Sequence, residues 1–490
     1  MRCAPSAGVE DLQHGRARSS SWSRRLTLCV VLPLLATACS SESPDTPSTP
    51  ASPAYHSDGH FLRDGHGRAL ILRGVNLPND YDQRGPEQEV RPPAAVFQHI
   101  ADSGFNAVRL VIEWYQIEAQ QGVYNQAYLE LLRQHVQWAQ EAGLFVFVDM
   151  HQDLFGRGFD GDGAPYWACD QSYYDSFEPA PVFILNYFSS QVKTCFQKFW
   201  SSAALRHSHE AAARAAAERI AGYDHVLGFD TFNEPSFGTT SIPIFESSLL
   251  MPFDEEFAAL VGEALPGRAY FFEPTFTFSV SRQCFFQGPL TAFSGVFAPH
   301  YYNVSVETVQ LWDGNEAEVH DVVATAADTA QRLQVPWILG EMGGSKFTPN
   351  FSDYLFTLYR ELDEQMAGAF LWLYEKGDNG FHLIDQATND WTPHARAFLR
   401  PVPSVVAGTP TAFSWDYAAG DFQFSWDADP DAGQTEIILP AWVAEVGFAV
   451  RVNGTPATPV LNERGNRLLI AAGQPGPMMF EMHVNGAYPG

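Results

Sequence analysis

From residue 60 to about 400 two kinds of stretch alternate along the chain. Short apolar runs recur, and most are separated by segments in which apolar residues return every three or four positions. Strands that feed helices in this way predict a parallel sheet. Eight runs qualify as strands: 69–76, 106–111, 145–149, 226–233, 268–273, 296–300, 337–341 and 368–373. Between them, residues 128–143 carry helical spacing and end on Gly143, and 208–220 is rich in Ala, Arg and Glu. Eight parallel strands with intervening helices predict an α/β fold, a TIM (β/α)8 barrel over residues 55–400. The hairpin pattern at 61–68 is expected to plug the floor of that barrel. After Pro401-Val-Pro403 the period changes to alternation, at 412–417, 421–426, 435–439 and 447–452, with a turn at Asn453-Gly454. Residues 401–490 therefore read as a C-terminal all-β sandwich.

Residues 1–39 do not belong to this pattern. Arg16, Arg18, Arg24 and Arg25 precede an apolar run over 26–36 that is too short to span a bilayer, which is the layout of a secretory signal. The run ends in Leu35-Ala-Thr-Ala-Cys39, which resembles the bacterial lipobox, in which the cysteine is lipidated. The expectation is export, with the protein either anchored at the bacterial cell envelope through Cys39 or secreted after plain cleavage. Residues 40–54, rich in Pro and Ser, read as a tether.

Composition narrows the function classes. With 29 basic and 57 acidic residues the formal charge is −28, so neither nucleic acid nor anionic lipid headgroups are expected partners. A content of 46% hydrophobic and 18% charged residues excludes a disordered chain, and a monomer is expected. In an oxidising compartment Cys169 and Cys195 are the expected disulfide, which leaves Cys284 over. The cysteine spacings and neighbours fit no zinc pattern, so no metal and no cofactor are expected.

In a barrel of this kind chemistry sits where strands end. Those ends offer Arg109 and Glu113, Asp149 and His151, Asn233 and Glu234, Glu273, His300 and Tyr302, Glu341, then Trp372 and Glu375. Carboxylates, His, Tyr and Trp, with no Gly-rich phosphate loop, suit glycosidic chemistry: two carboxylates act as acid and nucleophile, and Trp is a platform for a sugar ring. Glu113 and Glu273 read equally well as wall ion pairs and stay outside the catalytic set.

Thr231-Phe-Asn-Glu-Pro235 and Ile338-Leu-Gly-Glu341 resemble the two signatures of glycoside hydrolase family 5, a family of retaining TIM-barrel glycosidases. The resemblance implies Glu234 as acid/base, Glu341 as nucleophile, and Arg109, His151, Asn233, His300, Tyr302 and Trp372 as substrate-binding positions. Asp149-Met-His-Gln-Asp153, with Gly161-Asp-Gly-Ala-Pro165 beyond it, is similar to the endoglycoceramidase branch, which releases oligosaccharide from ceramide and also carries a C-terminal sandwich. That similarity adds Asp153 as a sugar contact and implies a glycosphingolipid substrate. The alternatives are a family 5 hydrolase of soluble β-glucan or mannan, and a surface lipoprotein that binds glycans without cleaving them. Two apolar insertions, 181–188 and 242–253, are either a surface for lipid or short helices packed on the barrel.

Overall fold

The computed structural model describes residues 54–81, 91–377 and 379–486. The leader with Cys39, and the tether up to residue 53, lie outside the described residues. The barrel strands are β1 Arg73–Pro78, β2 Ala107–Glu113, β3 Phe145–His151, β4 Val226–Asp230, β5 Ala269–Phe272, β6 in two pieces (Gly295–Phe297 and His300–Tyr302), β7 Ile338–Gly343 and β8 Gly368–Leu371. Each pairs in parallel with the next. β8 returns to β1 with Phe370 opposite Gly74, while the Phe297–Trp337 bridge and the pairing of His300 with Glu341 join β6 to β7. The sheet is thereby closed, as the strand count predicts.

β2 is buried at all seven positions, as a parallel strand covered on both faces must be. The close approach of β4 to β5 requires a glycine: a Cβ on Gly228 would lie 1.7 Å from the Ala269 carbonyl oxygen. β6 is interrupted at Ala298-Pro299, where proline has no N–H for the ladder. The predicted helix at 128–143 forms as Gln126–Glu141; the Asn125 side chain caps it by accepting from the Tyr128 N–H, and Leu129, Leu132, Val136 and Ala139 form its buried face. The 208–220 segment lies within a longer helix, Ala203–Ile220. Cys169 and Cys195 form the expected disulfide, clamping the loop after β3 to the helix Ser190–Ser201. Among the described residues no helix is long and apolar enough to cross a membrane.

At the barrel floor the opening strands Leu62–Asp64 and Ala69–Leu70 pair antiparallel, and Leu62, Leu70 and Leu72 pack against Phe147, Phe271 and Phe370. The same sheet continues into the C-terminal part of the chain. Leu70 lies opposite Val405 of Val402–Val406, which pairs with Gln434–Ile438 and then Arg467–Ala471. One layer of the sandwich is therefore six-stranded and built from both ends of the chain. The other layer holds Gly408–Asp416, Asp421–Ala428, Gly476–Val484, Phe448–Val452 and Thr455–Ala457. The sheet crosses the boundary expected at residue 400.

Buried polar contacts fasten this seam. Asn106 Nδ2 donates to the Ile71 carbonyl and to Ser404 Oγ, both at 2.8 Å. Asp363 receives Arg73 at 2.9 Å and Arg400 at 2.6 Å, and the Arg400 guanidinium also lies 5.3 Å from the ring centres of Tyr359 and Phe413. Removing the Asp363 carboxylate leaves two buried guanidinium groups uncompensated. Asp363→Ala is expected to cost about 3–5 kcal/mol in urea unfolding. A chain truncated after Pro403 is expected to melt at a lower temperature than the intact protein, because the floor sheet loses its neighbours; an unchanged melting temperature would contradict the shared seam.

Candidate active site

The centre of the mouth is the guanidinium of Arg109, fully buried on β2. Its Nη1 donates to Asn76 Oδ1 at 3.0 Å and Glu341 Oε1 at 2.7 Å, and its Nε donates to Asp230 Oδ2 at 3.1 Å. Around Nη2 lie Asn233 Oδ1 at 2.8 Å, Asp230 Oδ2 at 2.9 Å, Asp149 Oδ1 at 3.0 Å and Glu273 Oε1 at 3.1 Å. Burial by itself would lower the pKa of this guanidinium, but the surrounding carboxylates, Asp149 and Asp230 first, hold it well above the ordinary value.

Glu341, at the end of β7, accepts from Arg109 through one oxygen and from the Tyr302 hydroxyl through the other, at 2.7 Å each. Both oxygens are thus fixed. Burial, then the charges of Glu341 and Glu234, push the Tyr302 phenol well above its usual pKa, so it stays a donor. Glu234 follows β4 in a left-handed backbone conformation, φ +42°. Gln152 Nε2 donates to the carbonyls of Asn233 and Glu234 at 2.9 and 3.0 Å, and the Glu234 N–H donates to Glu273 Oε2 at 2.9 Å. Oxygens of Glu234 and Glu341 and a nitrogen of His300 lie within 4.8 Å of one another. Carboxylates this close fall on the side of the ~5–5.5 Å spacing of a double displacement, not the ~6.5–9.5 Å of direct attack by water.

The two glutamates have different surroundings. Burial, reinforced by the charge of Glu341, raises the Glu234 carboxyl to about 7, against the pull of His300, whose Nδ1 is 3.1 Å from Glu234 Oε1. His300 is itself held cationic: burial disfavours the charge, but Glu273 and Glu341 outweigh it. In the same mouth His151 bonds Asp149 Oδ2 at 2.8 Å, lies 3.6 Å from Asp153 Oδ2, and stacks on Trp372 with ring centres 5.3 Å apart. Asp153 accepts from the Tyr187 hydroxyl at 3.1 Å.

All nine site residues read from the sequence, Arg109, His151, Asp153, Asn233, Glu234, His300, Tyr302, Glu341 and Trp372, meet in this one network. Glu113 does not join it: both of its oxygens accept from Arg157, at 3.0 and 2.8 Å, as a rim ion pair. Glu273 does join it, and so do Asn76, Asp149 and Asp230, none of which stands in the expected set. Their sequence signal was available, since a polar residue in a wholly apolar strand such as Val226-Leu-Gly-Phe-Asp230 requires a buried partner. The two apolar insertions part company. In 242–253, Phe245, Leu250 and Phe253 are buried against the barrel, whereas Phe183, Leu185 and Phe188 are each about half exposed. That second segment reaches the site through Tyr187, whose ring stacks on Phe276 at 4.5 Å, and Phe276 in turn stacks on Phe237 at 6.0 Å.

A closed parallel barrel with two neighbouring carboxylates, one with its pKa raised to about 7 and one held by a cation and a phenol, is a glycosidase of the retaining kind. A model described as cellulase (glycosyl hydrolase family 5) matches residues 64–378, and one described as the glycoside hydrolase family 5 C-terminal domain matches 400–482. The chain belongs to glycoside hydrolase family 5. It is 27% identical to Endoglycoceramidase I of Rhodococcus hoagii (strain 103S), with 88% of each chain covered. It is 24% identical to the Endoglycoceramidase of Cyanea nozakii, covering 77% of this chain and 82% of that one. The structure of Endo-glycoceramidase II from Rhodococcus sp. superimposes with a TM-score of 0.74 at 28% identity, over 86% of this chain and 99% of that one.

On a substrate with a poor leaving group, kcat/KM is expected to fall on the alkaline side with a pKa near 7, as Glu234 loses its proton. A 2,4-dinitrophenyl glycoside, which needs no protonation, should lack that limb; the same limb on both substrates would contradict Glu234 as its source.

Proposed function

We propose that this protein is a retaining endo-β-glycosidase that hydrolyses the bond between the sugar and the ceramide of glycosphingolipids. One observation carries the reading: the carboxylate pair adjoins an exposed apolar shelf, on the side of Glu234. That side is where the leaving group must lie, because Glu234 protonates the departing oxygen. Beside it are Tyr187, Phe276 and Phe237, with the half-exposed Phe183, Leu185 and Phe188 further out. Trp372, His151 and Asp153 present a face for a sugar ring and its hydroxyls, and Asp153 meets the shelf where it accepts from the Tyr187 hydroxyl. Resemblance to the endoglycoceramidases, one of them solved as a ganglioside GM3 complex and as a lactosyl-enzyme intermediate, supports a glycosphingolipid substrate.

The chemistry follows from the geometry. A Glu341 oxygen attacks the anomeric carbon while Glu234 gives its proton to the glycosidic oxygen, so the C–O bond breaks and ceramide departs as its neutral alcohol. Glu234, now ionised, takes a proton from water as that water attacks the glycosyl ester. The free sugar leaves with its configuration retained, and Glu341 returns as a carboxylate. Arg109 and Tyr302 hold Glu341 in its attacking orientation and lower its freedom to rotate away.

The leader and Cys39 support export to the cell envelope, with the enzyme either released or held by lipid, and a monomer suffices for the site. Mass spectrometry of the mature N-terminus from a bacterial host tests the anchor: an unmodified terminus at Ser40 or beyond rules it out.

Incubation with a ganglioside, lactosylceramide and glucosylceramide, followed by chromatography, is expected to yield free ceramide. Activity on soluble glucan or mannan with no ceramide released would overturn the reading. Glu341→Gln is expected to keep the fold and to lose labelling by an activated fluoro-sugar, since an amide is a poor nucleophile. Glu234→Ala should still react with good leaving groups and regain turnover on addition of azide. Because the chain is an anion of −28, hydrolysis in anionic vesicles is expected to quicken as salt rises through the physiological range, by screening of repulsion.

A further inference from the structure

We propose that Glu273 is a positioning residue for proton transfer: its carboxylate fixes both the Glu234 peptide and the His300 imidazole, so that Glu234 is presented to the leaving oxygen in its proton-donating arrangement. This rests on the reading of Glu234 as the acid and base.

Each Glu273 oxygen has separate work. Oε2 accepts the N–H of Glu234, at 2.9 Å, and Oε1 lies 3.0 Å from His300 Nε2 and 3.1 Å from Arg109 Nη2. The far nitrogen of the same imidazole, Nδ1, is 3.1 Å from Glu234 Oε1. One carboxylate thus faces the acid from two directions: it accepts from the backbone N–H, and it makes an ion-pair contact, outside hydrogen-bond alignment, with the ring that contacts the acid's side chain.

The backbone grip matters because Glu234 stands at φ +42°, where a residue with a Cβ is strained by roughly 1–2 kcal/mol. Such a conformation persists only when its surroundings hold it, and here the N–H is held by Glu273 while Gln152 holds the carbonyl. The second grip concerns charge. An imidazole buried between Glu234, Glu273 and Glu341 keeps its proton as long as those carboxylates balance it. When Glu234 has given its proton away, the neighbouring imidazolium stabilises the carboxylate left behind. The charged and titratable groups facing Glu273 are Arg109 from β2, Asp230 from β4, Glu234 from the loop after β4, His300 from β6, and Asp254 from the helix Met251–Ala264. Of these, Arg109 and His300 are cations, and Arg109 is already shared among four carboxylates.

The test compares Glu273→Gln, which removes the charge and keeps an acceptor for the Glu234 N–H, with Glu273→Ala, which removes both. On phenyl β-lactoside, Glu273→Gln is expected to lose roughly 10–100-fold in kcat/KM, while 2,4-dinitrophenyl β-lactoside changes within about threefold. The alkaline limb should move to higher pH, because a neutral His300 no longer favours the ionised form of Glu234. Glu273→Ala should lose more on the phenyl substrate than Glu273→Gln, since the peptide is then released as well. Equal losses on both leaving groups, or an unmoved limb, would overturn the proposal; a purely structural glutamate would depress both substrates together. Nitrogen NMR of the histidines supplies a readout that needs no turnover. At pH 7 the His300 ring is expected to be cationic in the parent protein and neutral in Glu273→Gln, and an unchanged ring would sink the idea. If neither protein cleaves lactosides, it is the glycosidase reading of the site that falls, and the His300 signal still decides the role of Glu273.

Discussion

Everything in the mouth of this barrel depends on one buried cation. Arg109 reaches from β2 to Asn76 on β1, Asp149 on β3, Asp230 on β4, Asn233 just beyond it, Glu273 beyond β5 and Glu341 on β7. A guanidinium in such a place would be several kcal/mol unfavourable by itself, and so would each carboxylate. Together they compensate, and the planar fork of Arg imposes directions that a lysine could not. The strands are therefore held at their catalytic ends by the same contacts that orient the nucleophile, so barrel closure and chemistry cannot be varied independently.

The cation also explains how two glutamates in one pocket acquire opposite duties. Glu341 accepts from Arg109 and from the Tyr302 hydroxyl, which fix both of its oxygens. Glu234 lies beyond the reach of Arg109; burial and the charge of Glu341 raise it to about 7, and only His300 opposes them. The network separates the two by contact: Arg109 reaches Glu341, and the cation beside Glu234 is the His300 imidazolium.

The sequence discloses this core because its parts are local. Strands ending in Asn-Glu-Pro and Leu-Gly-Glu, and an apolar strand carrying Arg109, are each legible within a few consecutive residues. What escapes has no local signature. Nothing near Leu70 announces that it pairs with Val405, because antiparallel pairing across more than three hundred residues leaves no period in either segment. Glu273 and Glu113 both end strands and look alike in sequence; only the positions of Arg157 and His300 in space separate a rim ion pair from a residue of the site. The two apolar insertions differ likewise, since a run such as 242–253 has the same composition whether its face meets a helix or solvent.

The arrangement divides labour between the two ends of the barrel. The floor is apolar, with Phe147, Phe271 and Phe370 closed over by Leu62 and Leu70, and both ends of the chain meet there in one sheet. Stability gathered at that end is what allows the mouth to carry features that oppose folding: clustered carboxylates, a left-handed Glu234 and half-exposed phenylalanines. The sandwich is then part of the enzyme's foundation. Its strands complete the floor sheet, and its Arg400 shares a buried carboxylate with Arg73 of the barrel's first strand. Function at one end of this molecule thus depends on chain pairing at the other.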